Sequence, residues 1–159
     1  MKSKRMGIAT VLGATSIALA LIFAIAQTAA AKEPDDKLVG SWTVEVTTPS
    51  QGTFPALLTF TADGSVLEDE SPLPFESSGH GSWVSKGHDQ VAYTFIALFG
   101  GDQGQNTGRF KVVGTLQFDG RKGGWSGPFK ITGFDANGQE DFSDSGTSKL
   151  TRIQVESFP

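Results

Sequence analysis

The chain has 159 residues, 38% hydrophobic and 19% charged, with a formal net charge of −4 and no cysteine. The missing cysteine excludes disulfides, thiolate metal sites and thiol nucleophiles. A chain of this length supplies one domain with one core.

The N-terminus stands apart in composition. Lys2, Lys4 and Arg5 precede an apolar run from Met6 to Ala26, and Ala29 and Ala31 then lie just before Lys32. A positive region, an apolar stretch and small residues in that order read as a secretory signal peptide over 1–31, with an uncleaved anchor as the alternative. Without the three leader cations, ten Lys and Arg face seventeen Asp and Glu, a formal −7. So acidic a chain is a poor partner for nucleic acid or an anionic membrane surface. The expected location is secreted or periplasmic, with no stable membrane insertion after cleavage. A short polar linker at 32–37 leads to a domain expected over 38–153, followed by a tail at 154–159.

Beyond the linker the pattern is period-two alternation broken by turn residues, with no helical periodicity. It predicts strands over Leu38–Thr48, Thr53–Ala62, Ser65–Asp69, His80–Lys86, Gln90–Phe99, Arg109–Asp119, Trp125–Asp135 and Gln139–Ile153. Asp63-Gly64 and Asn137-Gly138 supply tight turns, as do the segments 87–90 and 120–124. Longer connections occur at 70–79 and 100–108. Strands joined almost entirely by hairpins form a meander, and a meander hides both of its edges by closing on itself. The expected fold is all-β: a single antiparallel up-and-down barrel of about eight strands, with an interior suited to side chains or one small ligand. A two-sheet sandwich needs longer crossovers.

Alternation also assigns faces. Phe54, Ala56, Leu58 and Phe60 share one side of their strand, as do Val91, Tyr93, Phe95, Ala97 and Phe99 of theirs. Gly114, Gly127, Gly133 and Gly146 lie within strands, where they would let a closed sheet bend. Gly40, Trp42, Val44 and Val46 share the inner face of the first strand. Trp42 would then plug one end, and Gly40 would remove a side chain that collides with the neighbouring strand. In a closed meander the last strand runs antiparallel beside the first. That brings Arg152 to Trp42, where a guanidinium can stack on the indole.

The Gly40-Ser41-Trp42 segment, taken with Arg152 near the end of the last strand, resembles the lipocalins and the wider calycin barrels. The short turns and abundant glycine are also similar to allene-oxide-cyclase-like barrels. The first resemblance implies closure of one end by Gly40, Trp42 and Arg152. The second implies that a cyclase folding a flexible substrate in an apolar cavity belongs among the readings.

The candidate ligand wall comprises Phe54, Phe60, Tyr93, Phe95, Phe110, Trp125 and Phe129, with Ala56, Ala97, Gly114 and Gly127 between them. Large aromatics separated by small residues suit a pocket better than interlocking aliphatic layers do. The entrance is expected opposite Trp42, with Trp125 or Trp83 reporting a ligand. Two residues are candidate catalytic groups. Tyr93 could hydrogen-bond a ligand, and Asp144 shares the parity of Phe142 and Arg152. An inward Asp144 carboxylate would have a raised pKa, while a bulge would turn it to solvent. His80 and His88 fall on an outer face and in a turn. The acidic runs at 67–70 and 134–144 read as a solvated rim, so no metal and no cofactor are expected. No nucleophile elbow, phosphate loop or dinucleotide fingerprint is present. Three readings stay open: an exported barrel that binds a small hydrophobic molecule, a barrel cyclase or isomerase, and a structural envelope domain with a filled barrel.

Overall fold

The computed structural model describes residues 37–70 and 76–158. The expected leader and most of the linker lie outside the described residues. The strands are β1 Gly40–Thr48, β2 Gly52–Phe60, β3 Ser65–Glu70, β4 Gly79–Gly87, β5 Gln90–Gly100, β6 Asn106–Asp119, β7 Gly124–Asp135 and β8 Glu140–Arg152. No helix forms among the described residues. The strands pair antiparallel in chain order and close as an eight-stranded barrel.

Closure falls on β1, which pairs with β2 on one side and β8 on the other. Trp42 sits opposite Leu58 in one ladder and Arg152 in the other. The largest difference from the sequence-derived strands is in β6, which begins at Asn106 rather than Arg109. A bulge at Phe99/Gly100 lets Gly100 pair with Asn106, so the ladder extends into the segment that alternation assigned to a loop. The β4–β5 hairpin is tight: Gly87 pairs with Gln90, and His88 and Asp89 between them both take positive φ, 52° and 58°. This is the turn geometry whose twist matches that of the strands.

The interior divides into two levels. One is filled by Leu38, Trp42, Phe60, Val66, Val91, Leu116, Trp125 and Leu150, all almost fully buried. Phe60 meets Trp83 edge-on with ring centroids 5.9 Å apart, and Phe118 lies 5.2 Å from Trp125. The level towards the opposite rim is lined by residues with space between them.

A latch closes the filled end. The Trp42 indole nitrogen donates to the Leu38 carbonyl at 2.8 Å. The Arg152 guanidinium lies 4.2 Å from the Trp42 ring centroid and donates to the Val39 carbonyl at 2.8 Å and to the Lys37 carbonyl. Gly40 makes room for one group of the neighbouring strand: a Cβ there would strike Arg152 Nη1 of β8, and φ is +132°. The strand glycines likewise make room for particular groups. A Cβ on Gly114 would lie 2.5 Å from the Tyr93 ring, and one on Gly127 would run into the Thr115 carbonyl.

Trp42→Ala should cost about 3–5 kcal/mol, the range for truncating a large buried aromatic, measured by chemical denaturation. A variant that unfolds at the parental midpoint would remove Trp42 from its place in the latch.

Candidate functional site

The hollow level holds a cavity of about 140 Å³. Its walls include Val44 and Val46 of β1, Phe54, Ala56 and Leu58 of β2, Tyr93, Phe95 and Phe99 of β5, Phe110 and Val112 of β6, and Phe129 and Ile131 of β7. Thr48, Ser50 and Gln51 line it where β1 turns into β2, and Phe142 and Asp144 where β8 begins. The cavity therefore lies towards the rim that carries the β1–β2 and β7–β8 turns. The aromatic walls continue as a chain of ring contacts: Tyr93 stacks near-parallel to Phe95 at 6.2 Å, Phe95 meets Phe110 at 6.2 Å, and Phe110 meets Phe99 at 5.3 Å.

Five residues of the sequence-derived wall line this space: Phe54, Tyr93, Phe95, Phe110 and Phe129. Phe60 and Trp125 do not. Both belong to the filled level, where each is only 1% exposed. None of the three tryptophans touches the cavity. Direct quenching of Trp125 or Trp83 by a bound molecule is therefore not expected, and the aromatic rings at the walls are the reporters.

Asp144 is partly exposed and lacks the raised pKa expected of an inward carboxylate. It reaches the mouth, but hydrogen bonds hold its carboxyl below the usual carboxylate range, first from the Ser50 hydroxyl and then from the Ser145 backbone N–H. It ties β8 to the β1–β2 turn as an anion and has none of the raised pKa of a buried acid. Tyr93 is placed as an inner-wall residue, 3% exposed. Burial pushes its phenol up to about 12, with Ser148 hydrogen-bonding opposing the rise and Glu68 adding to it. The phenol is thus a neutral donor across the physiological range.

The acidic run at 67–70 is a correction. Glu68 faces inward, between Leu58 of β2 and Gly79 of β4 in the ladder, and is only 3% exposed. Its Oε2 has no hydrogen-bond partner among the described residues. A Cβ on Gly79 would lie 2.6 Å from that oxygen, so glycine on β4 clears the space the carboxyl fills. Burial raises the Glu68 pKa to about 8, reinforced by Glu70, Glu76 and Asp69. Burial raises Glu76 to about 7 and raises Glu70 as well. The signal was present in the sequence: Val66, Glu68 and Glu70 share one parity, and Val66 is a core residue. A short strand of mostly acidic residues hid it. His80 and His88 are both exposed, and no group of three or more metal-ligating side chains forms among the described residues.

No protein-family model matches the chain, and no curated protein matches it. Among solved structures it is similar to one described as a redesigned beta barrel, at 21% sequence identity and a TM-score of 0.44, over 74% of this chain and 93% of that one. The fold rests on the closed ladder itself. The likeness to lipocalin barrels consists of two short motifs and the strand number, and that to allene-oxide-cyclase barrels of short turns and abundant glycine; no family-level match supports either.

Glu68 makes folding depend on pH in an unusual direction. Its folded pKa, about 8, lies above its ordinary value of 4.5. An acid raised on folding favours the folded state while protonated, so its contribution is complete below the ordinary value and is lost as pH rises through the folded one. Glu76, at about 7, acts in the same sense. The melting temperature should fall by at least about 5 °C between pH 5 and pH 8, and Glu68→Gln should flatten most of that slope. A parent whose stability rises over this range would contradict a buried, unpartnered Glu68.

Proposed function

We propose that this protein is an exported container that holds one small apolar molecule in the open level of its barrel. The observation that carries the reading is the division of the interior: one level packed solid around Trp42 and Trp125, the other an aromatic-lined cavity of about 140 Å³. A dry apolar cavity of roughly 150 Å³ is large enough to bind benzene. The buried part of the ligand is then a single ring or a short aliphatic chain, and a long acyl chain does not fit inside. Export rests on the leader-like N-terminus, and the acidic balance of the remaining chain argues against nucleic acid as a partner.

A barrel cyclase or isomerase is the second reading, and one observation favours it. Glu68 lines the cavity with a pKa of about 8, and so does the neutral Tyr93 phenol. A carboxyl poised near neutrality beside an apolar cavity is what a general acid or base requires. Glu68 replaces Asp144 in this role. A structural domain with a filled barrel suits only the Trp42 level.

Benzene or indole titrated into the protein should give saturable shifts in the proton resonances of Phe110 and Phe129. Ala56→Phe places a ring in the cavity and should abolish these shifts while the melting temperature holds or rises. If no such probe saturates, the container reading fails. Chemical conversion of an apolar probe, lost in Glu68→Gln, would replace it with the enzyme reading.

A further inference from the structure

The cavity is asymmetric in charge. Glu68, Glu70 and Asp144 line it, and among the described residues no Lys, Arg or His does. The deepest of these in the fold, Glu68, is buried with Oε2 unpartnered among the described residues, in space that Gly79 leaves clear. Tyr93, Phe95, Phe110 and Phe129 contribute aromatic rings to the same walls. An ammonium gains from both features: the electron-rich ring faces attract it, and a desolvated carboxylate needs a cation beside it. A fatty acid or other anion meets three carboxyl groups and, among the described residues, no basic partner. A calcium or magnesium ion asks for six or more oxygen ligands, and no group of three or more metal-ligating side chains forms among the described residues.

We infer that the molecule held in the barrel is a small organic cation, a primary amine on an aromatic ring or short aliphatic body, whose ammonium pairs with the Glu68 carboxyl. This deepens the container reading and rests on it. The apolar body fills the space between Phe95, Phe110 and Phe129, and the ammonium lies at the Glu68 side. Entry of the ammonium ionises Glu68, and the released proton leaves to solvent, so binding exchanges one proton for one organic cation. The charged and titratable groups that act on Glu68 are Glu70, Glu76 and Asp69, all acidic, together with Tyr93, which stays neutral. Asp144, already anionic at the mouth, adds to the field that draws a cation inward.

Three probes of one size separate the possibilities: benzylamine, benzyl alcohol and benzoate, each titrated at pH 6 and pH 8 with affinity read from ligand and protein proton shifts. Benzylamine, protonated at both pH values, should bind at least about tenfold more tightly than benzyl alcohol at pH 8. It should weaken by tenfold or more at pH 6, since each pH unit below the pKa of an acid that must ionise costs about tenfold. Benzyl alcohol should show no such dependence, and benzoate should bind least. Glu68→Gln should leave benzyl alcohol binding in place and erase the preference for the amine; the pH dependence in the parent stands as a test even if that variant fails to fold. If benzyl alcohol or benzoate binds as tightly as benzylamine, or the preference survives Glu68→Gln, the cation inference is overturned and the container reading stands. If none of the three saturates, both fall.

Discussion

Every other feature of this molecule depends on β1 being hydrogen-bonded along both edges. Antiparallel strands joined by hairpins leave two open edges unless the first and last pair, and an open edge of this length invites association with another chain. The β1–β8 ladder removes both edges and in doing so creates an inside. It also sets Arg152 against Trp42. That contact combines a stacked cation with hydrogen bonds to two backbone carbonyls of the chain entering β1. The latch therefore pins the entering segment, the first strand and the last strand together at one point.

Sealing one end has a consequence for the other. Indole and phenyl rings are too large to share a level of a small barrel evenly, so glycine or alanine must stand opposite some of them. At the latch the side chains interlock and fill the space. Towards the other rim, Ala56 and Gly114 stand among Phe54, Tyr93 and Phe110, and the rings line a cavity. The two levels thus do different work: the packed one holds the fold, and the open one is free to carry a site. Residues that pack solid and residues that line the cavity are separated along the barrel axis.

Glu68 is the clearest departure from what stability alone would select. A carboxyl removed from water and left without a partner costs free energy, and a leucine in its place would be the ordinary choice. Gly79 gives the carboxyl room, but the acidic neighbours Glu70, Glu76 and Asp69 make the position still less suited to an anion. Packing alone does not account for a carboxyl under these conditions. Asp144, which lines the same cavity, shows the opposite environment, where hydrogen bonds from Ser50 and Ser145 stabilise its charge. The two carboxyls differ in role because their surroundings differ.

The fold was largely legible in the sequence because strand alternation is a local property. Each strand's inward residues, from Trp42 and Val44 on β1 to Val91, Tyr93 and Phe95 on β5, follow from the two-residue period alone. Turn residues separate the strands, and their number suggests closure. The pairing of Trp42 with Arg152 could be anticipated because it joins the two chain ends of any closed meander. What alternation cannot supply is height along the barrel. Phe60 and Phe54 share a face, yet one is packed solid and the other borders the cavity, because the stagger between neighbouring strands decides which residues meet at one level. The same stagger sets Glu68 between Leu58 and Gly79, turning part of an acidic run into a buried carboxyl. Parity along a strand is fixed by the backbone of that strand, whereas level and enclosure are fixed by the hydrogen-bond register among eight strands, and that register exists only once the barrel has closed.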